Sequence, residues 1–178
     1  MTIGADDMTC RAAAYHEAAH IVIASAVGLP ISPKGISIDG FANGLAHFKG
    51  ATSGTKVAAE EVDKVVISML AGGIVHGGVH GNVEHAIIRD ERRIKEIMDE
   101  HIANPEARKT KREELETRAS ELASKHWQAI EAVAEALWSK SWKPRNRHIQ
   151  LFRGKTLDGT ELKALLTDIT LVVDETVE

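Results

Sequence analysis

The clearest chemical signal in this sequence is a pair of histidines four residues apart, with a glutamate directly after the first. The segment reads His16-Glu17-Ala18-Ala19-His20 and lies in a stretch that favours a helix. Residues four apart share one helical face, with Cβ atoms roughly 5–6 Å apart, so both imidazoles can bind one zinc ion. Glu17 is turned off that line and can reach a water at the metal rather than the metal itself. The pattern therefore predicts a zinc-peptidase site with Glu17 as the catalytic base.

Chance is the alternative explanation of this motif, because the chain contains nine histidines. However, two histidines and a glutamate inside an otherwise apolar helix are costly to bury unless a partner satisfies them. A bound metal ion would satisfy the two histidines, and its water would satisfy Glu17, so we interpret the motif as a metal site.

A third ligand must lie downstream, because catalytic zinc usually has three protein ligands. The short metzincin continuation is excluded, since no histidine follows at the required offset. The candidates are carboxylates and histidines between residues 60 and 101. His76 and His80 repeat the four-residue spacing, with Glu84 and His85 nearby. The intervening glycines make that stretch a poor helix, at roughly 1 kcal/mol each relative to alanine, but the residues alone leave the choice open.

The elements that must position these residues are mostly helical. Helix patterns cover residues 10–27, 55–75, 83–103 and 105–140, and a short last helix begins near residue 157. Residues 35–39 and 45–49 alternate around a turn-forming segment and predict a β-hairpin. The predicted fold class is mainly α with a small β-hairpin, in one domain over residues 1–178, with a frayed tail from Thr170.

Composition narrows the class of protein further. Apolar residues make up 43% of the 178 positions, the formal charge is −4, and Cys10 is the only cysteine. We therefore expect a folded protein of a reducing compartment, without disulfides. No signal sequence is apparent, and the longest apolar stretches are too short to span a membrane, so a cytoplasmic location is expected. A basic run at 143–155 is interpreted as a solvated loop, and nucleic-acid binding is not expected.

Several motifs along the chain resemble the peptidase domain of FtsH-type ATP-dependent zinc metalloproteases, over about residues 12–166. They are Tyr15-His16-Glu17-Ala18-Ala19-His20, Gly35-Ile36-Ser37-Ile38, Gly44-Leu45-Ala46, Leu70-Ala71-Gly72, Gly81, and Thr156-Leu157-Asp158-Gly159. The resemblance implies a zincin-like helical domain and one Zn²⁺ per chain. It also implies that Asp90, nine residues after Gly81, is the third ligand beside His16 and His20. The run 143–155 corresponds to an insertion.

The resemblance also implies a substrate and its binding strand. Edge strands of zinc peptidases bind extended peptide by β-addition, which assigns substrate contacts to Leu45, Ala46 and His47. No ATPase module or membrane anchor is recognised in the sequence. The expected substrates are therefore peptides or unstructured protein segments, some of them delivered by a separate unfoldase or adaptor. A homo-oligomer is compatible with the sequence.

Two other functions compete with this prediction. His76 and Gly77 replace paired glutamates of the family pattern, which keeps open a non-catalytic, zinc-stabilised adaptor derived from such a peptidase. A metal-free helical interaction domain is the weakest interpretation, because it leaves His16, Glu17 and His20 without a role.

Overall fold

The computed structural model describes residues 7–76, 84–146 and 149–168. The helices are α1 Asp7–Ala26, α2 Val62–His76, α3 Glu84–His101, α4 Pro105–Lys125, α5 Trp127–Trp138 and α6 Gly159–Asp168. The strands are β1 Ile31–Asp39, β2 Gly44–Phe48, β3 Lys143–Asn146 and β4 Ile149–Leu157. The mainly helical architecture confirms the predicted class, but the β component is a four-stranded antiparallel sheet rather than a single hairpin.

Helix α1 is the central element of the core and packs against α2, α5 and the β1–β2 hairpin. Its alanine-rich sequence favours a helix and lets neighbouring elements approach closely. The helix ends where Gly28 adopts a positive φ of 78°. The amide of Leu29 then donates to the carbonyl of Ala24 and that of Gly28 to Ser25, which together form a Schellman motif. The predicted buried helix is confirmed, although it begins at Asp7 rather than residue 10.

The predicted hairpin is present as β1 and β2, with Ile36 opposite Ala46 and Ile38 opposite Gly44. Asp39 closes the connecting turn by accepting the amide hydrogens of Phe41 and Asn43. The strand order is β2-β1-β4-β3, so β2 forms one edge of the sheet. This position leaves one side of β2 without a neighbouring strand among the described residues.

The prediction of a solvated loop at 143–155 is wrong, because this segment forms most of a second hairpin. Strand β4 pairs with β1, with Lys155 opposite Ile38. Lys155 is only 7% exposed. Its ammonium group lies 4.0 Å from the ring centroid of Trp138 and 4.9 Å from that of Trp142, and donates to the carbonyl of Trp138. The aromatic rings thus stabilise a buried cation in this strand. The charge pattern of the segment alone predicts a loop.

Two predicted helices have different limits in the structure. The predicted helix over 105–140 is two helices that meet at His126, whose φ and ψ are −104° and 18°. The predicted start at residue 55 is also wrong, because α2 begins at Val62 after a 3₁₀ turn at Ala59–Glu61. The carbonyl of Thr55 instead accepts from Arg93 and holds a loop against α3. Thr170 and the predicted frayed tail lie outside the described residues.

The buried apolar side chains of the described residues form one cluster that joins α1, α2, the sheet and the later helices. Cys10 is buried in this cluster, and its thiol donates to the carbonyl of Asp39. Among the described helices, none combines the length and apolar character needed to cross a membrane.

Candidate metal centre

The two histidines of α1 lie together on its buried surface. His16 is fully buried and His20 is 2% exposed. Since they are one helical turn apart, their rings meet edge to face, with centroids 4.6 Å apart. Their Nε2 atoms are separated by 3.0 Å and point to the same place.

Asp90, on α3, completes a group of three donor atoms. Its Oδ2 atom lies 2.8 Å from His16 Nε2 and 3.0 Å from His20 Nε2. This buried group can hold a metal ion, and it is called the metal centre below. The predicted grouping of these three residues is therefore present in the structure. Three electron pairs aimed at one point repel one another unless a proton or a metal cation lies between them.

A backbone carbonyl orients one of the histidines. The Nδ1–H group of His20 donates to the carbonyl oxygen of Ser68, on α2, at 2.7 Å. This hydrogen bond assigns the proton to Nδ1 and leaves the lone pair of Nε2 facing Asp90, as in a metal-ligating histidine. The Nδ1 atom of His16 is buried and has no hydrogen-bond partner in the described part of the chain.

The charges at the metal centre reinforce one another. Burial alone lowers the pKa of His20, but the charge and hydrogen bond of Asp90 outweigh it and raise that pKa to about 9. Burial alone raises the pKa of Asp90, but His20 and His16 hold it well below its usual range. Without a metal ion, the ionised carboxylate of Asp90 is therefore paired with a protonated His20, and a bound metal ion would take the place of that proton.

Glu17 lies beside the metal centre without belonging to it. Its side chain is 1% exposed, and Oε1 has no hydrogen-bond partner among the described residues. The nearest cation is Arg89, whose Nη2 atom is 3.6 Å from Oε1 and donates to the carbonyl of Gly44 at 2.9 Å. Burial raises the pKa of Glu17, although the neighbouring histidines and Arg89 partly oppose this. Such a carboxylate accepts a proton more readily than one in water.

Two glycines supply the space that these side chains occupy. A Cβ atom at position 72 would lie 2.5 Å from Cε1 of His20 and 2.8 Å from Cε1 of His16. A Cβ atom at position 44 would lie 2.2 Å from Oε1 of Glu17. Both distances are far below van der Waals contact, so α2 and β2 approach α1 closely only because these positions are glycine.

A cavity of about 390 Å³ connects the metal centre to the surface. Glu17, His20 and Asp90 form part of its wall, and all three predicted substrate-strand residues, Leu45, Ala46 and His47, line it as well. The edge strand therefore runs beside the metal centre, which is the arrangement that the substrate prediction requires. A volume of this size suits a ligand of a few residues rather than a folded domain.

Arg93 also lines this cavity. No role for it was predicted from the sequence. Its side chain is 5% exposed and donates to the carbonyls of Gly50 and Thr55, at 3.0 Å and 2.7 Å. It also pairs with Glu96 at 3.2 Å. These bonds fix the loop at residues 50–55 against α3. A usable signal existed, because Arg93 is three residues after Asp90 and thus shares its helical face.

The structure describes only some of the alternative third ligands. His85 is exposed on α3 and does not belong to the metal-binding group. His80 lies outside the described residues, as do the side chains of His76 and Glu84.

Comparison with known proteins adds no assignment to this geometry. No protein-family model matches the chain, and no curated protein matches it.

Proposed function

We propose that this protein is a zinc-dependent peptidase that hydrolyses extended segments of peptides or unstructured proteins. The observation that carries the proposal is the convergence of His16 Nε2, His20 Nε2 and Asp90 Oδ2 within 3.0 Å of one another, with the buried carboxylate of Glu17 beside them. The resemblance to FtsH-type peptidase domains supports the same chemistry.

The donor set favours zinc over harder cations. Two imidazole nitrogens and one carboxylate are a common ligand set of catalytic zinc, whereas magnesium and calcium prefer oxygen ligands only. Three protein ligands leave a coordination position for water or substrate. The hydrogen bond from His20 to the Ser68 carbonyl is the outer contact that metal-ligating histidines commonly make. The residues therefore fit a zinc ion.

Glu17 is proposed to carry out the proton transfers. When bound, zinc would polarise the scissile carbonyl and lower the pKa of water towards neutrality. Glu17 accepts a proton from the attacking water and passes it to the leaving nitrogen of the peptide. Its burial favours this role, because a raised pKa brings a carboxylate closer to the pH at which it works.

The substrate backbone is proposed to lie along β2. Leu45, Ala46 and His47 line the cavity, and β2 is an edge strand. An extended peptide can form a ladder along the side of β2 that has no neighbouring strand among the described residues. Arg89 already occupies the carbonyl of Gly44, so pairing would begin after that residue.

The test combines metal analysis with proteolysis. Protein that has never met a chelator should contain about one zinc per chain, and His16→Ala, His20→Ala and Asp90→Ala should each abolish tight binding. Glu17→Gln should retain zinc and lower hydrolysis of a casein-like substrate by at least about 100-fold. Glu100→Gln, an exposed change on α3, is the matched control.

Each contrary result has a definite meaning. Absence of any transition metal would contradict the proposal. Zinc binding that survives Asp90→Ala but is lost in His76→Ala, His80→Ala or Glu84→Ala would reassign the third ligand. Zinc-loaded protein that cleaves no unstructured substrate would instead favour the non-catalytic adaptor.

A further inference from the structure

The cavity beside the metal centre is cationic, although the whole chain has a net charge of −4. Four cationic side chains and three carboxylates line it: Lys34, Arg89, Arg92 and Arg93, with Glu17, Asp90 and Glu96. The positive excess is therefore a local property of this surface and does not follow from a generally basic protein.

Two of these cations are already engaged by the protein. Arg93 is buried and bonded to two loop carbonyls and to Glu96. Arg89 bridges the carbonyl of Gly44 and Glu17. By contrast, the side chains of Lys34 and Arg92 are exposed and make no hydrogen bond or ion pair within the described ranges. These two side chains are free to contact a ligand in the cavity.

A bound divalent metal ion would enlarge this positive excess. Asp90 and Glu17 are the carboxylates nearest the metal centre, and a divalent cation there would balance their two negative charges. Glu96 is occupied by Arg93 and by the hydroxyl of Ser53. Glu96 also interacts electrostatically with Arg92, but as the one remaining carboxylate among the described cavity residues it cannot neutralise both Lys34 and Arg92.

We infer that the cavity selects peptides that carry a carboxylate near the bond to be cleaved, through Lys34 and Arg92. The carboxylate can come from an aspartate or glutamate side chain or from the C-terminus of the peptide. This inference rests on the proposed function, which identifies the ligand as a peptide, and it adds the substrate class. Exposed ion pairs are individually weak, so the expected selectivity is modest and sensitive to salt.

Peptide binding tests this selectivity independently of turnover. Zinc-loaded Glu17→Gln protein is titrated with three fluorescent peptides of one sequence. The first is neutral with an amidated C-terminus, the second contains one glutamate in place of glutamine, and the third is neutral with a free C-terminal carboxylate. At low salt, at least one carboxylate peptide should bind about fivefold more tightly than the neutral peptide, and 0.5 M salt should remove most of the difference. Comparing the second and third peptides distinguishes binding of an internal acidic residue from binding of a peptide C-terminus.

Variants connect the preference to the two residues. Arg92→Gln and Lys34→Gln should each reduce the preference by about twofold to threefold, and the double variant should abolish it. Arg153→Gln and Lys109→Gln are the matched controls, because both residues are exposed and lie outside the cavity.

Equal affinity for all three peptides, a preference unchanged in the double variant, or no binding of any peptide would overturn the inference. Cleavage of neutral and acidic peptides at equal rates and affinities would overturn it while leaving the peptidase proposal intact. Carboxylate selectivity without any cleavage by wild-type protein would support this inference and contradict the peptidase proposal.

Discussion

Gly72 and Gly73 are neighbours in α2, yet only Gly72 faces the histidines of the metal centre. A Cβ at position 72 would lie 2.5 Å from the ring of His20, whereas a Cβ at position 73 meets no atom within 4 Å. We therefore expect Gly72→Ala to displace both rings and to weaken zinc binding by at least about tenfold, that is about 1.4 kcal/mol. The measurement is a competition titration against a chromophoric zinc chelator.

Gly73→Ala is a matched control for this change. Both substitutions place alanine in a helix interior and gain up to about 1 kcal/mol of helix propensity, so propensity cannot account for a difference between them. Gly73→Ala should bind zinc like the wild type. Equal affinities of the two variants would show that the close approach of α2 to His20 is not required.

The pair of His20 and Asp90 predicts a pH dependence for chelator-treated protein. The pKa of His20 is raised from 6.5 to about 9 in the folded protein, so folding favours the protonated form. The stabilising contribution is therefore fully present below about pH 6.5 and is lost as the pH rises through about 9. His16 and Glu17 face the same imidazole, and Glu17 also raises its pKa.

The expected result is a fall of several degrees in melting temperature between pH 6.5 and pH 9.5, measured with chelator present. Asp90→Asn removes the main cause of the raised pKa and should flatten this profile. A wild-type melting temperature that rises over this interval would contradict the assigned direction.

Sequence could predict part of this site because part of it is local. His16, Glu17 and His20 lie within five consecutive residues, and helical periodicity alone places the two histidines on one face. Asp90 is 70 positions beyond His20 and was assigned only through a family resemblance. The carbonyl of Ser68 carries no signal at all, since every residue has one and only the packing of α2 on α1 selects it.

At the scale of elements, Arg93 joins α3 to the loop at residues 50–55. Its guanidinium donates hydrogen bonds to the carbonyls of Gly50 and Thr55, and the Arg93 side chain is only 5% exposed. Arg93→Met keeps the apolar length of the side chain and removes the donors. Gly50 is half-buried and Thr55 is exposed, so water can partly replace the lost donors, and we expect the free energy of unfolding to fall by about 1–3 kcal/mol. Urea denaturation measures the change.

The neighbouring arginine supplies the comparison. Arg92→Gln alters an exposed side chain on the same helix, and its unfolding free energy should stay within about 0.5 kcal/mol of the wild type. Hydrogen exchange should show loss of protection confined first to the loop and α3 in Arg93→Met. Similar stability of the two variants would show that Arg93 is not needed to hold the loop at residues 50–55 against α3.

Two of the three elements that sequence analysis missed share a physical cause. In strand β4, Lys155 faces inward against Trp138 and Trp142, so a charged residue stands where the alternation rule expects an apolar one. The break between α4 and α5 falls at His126, with neither glycine nor proline to mark it. The loop before α2 contains helix-compatible residues, but Arg93 holds its carbonyls from another helix. For β4 and for the loop before α2, a distant side chain decides the local structure, whereas nothing in the structure explains the break at His126.

At the scale of the whole molecule, the metal centre is assembled from elements far apart in the chain. Helix α1 provides the histidines, α3 provides Asp90, α2 orients His20 by a carbonyl, and β2 borders the cavity. The centre therefore forms only in the folded protein. A cavity of about 390 Å³ borders the centre, so under the proposed function we expect the substrate to enter as an extended segment.

This arrangement predicts which proteins can be cleaved. An extended segment can pair with the edge of β2 and reach Glu17, whereas a folded domain does not fit the cavity. A domain with roughly 5–15 kcal/mol of stability exposes such a segment only rarely. We expect chelator-sensitive cleavage of a casein-like flexible protein at a rate at least about 100-fold above that of a tightly folded control of similar length, with Glu17→Gln as the blank. Destabilising the control by point mutation should raise its cleavage in proportion to its unfolded fraction, because opening and reclosing are fast relative to cleavage and the open population then sets the rate. Cleavage of the stable control as fast as the flexible substrate would show that the scissile bond does not have to enter the cavity beside β2, and the proposed binding mode would be wrong.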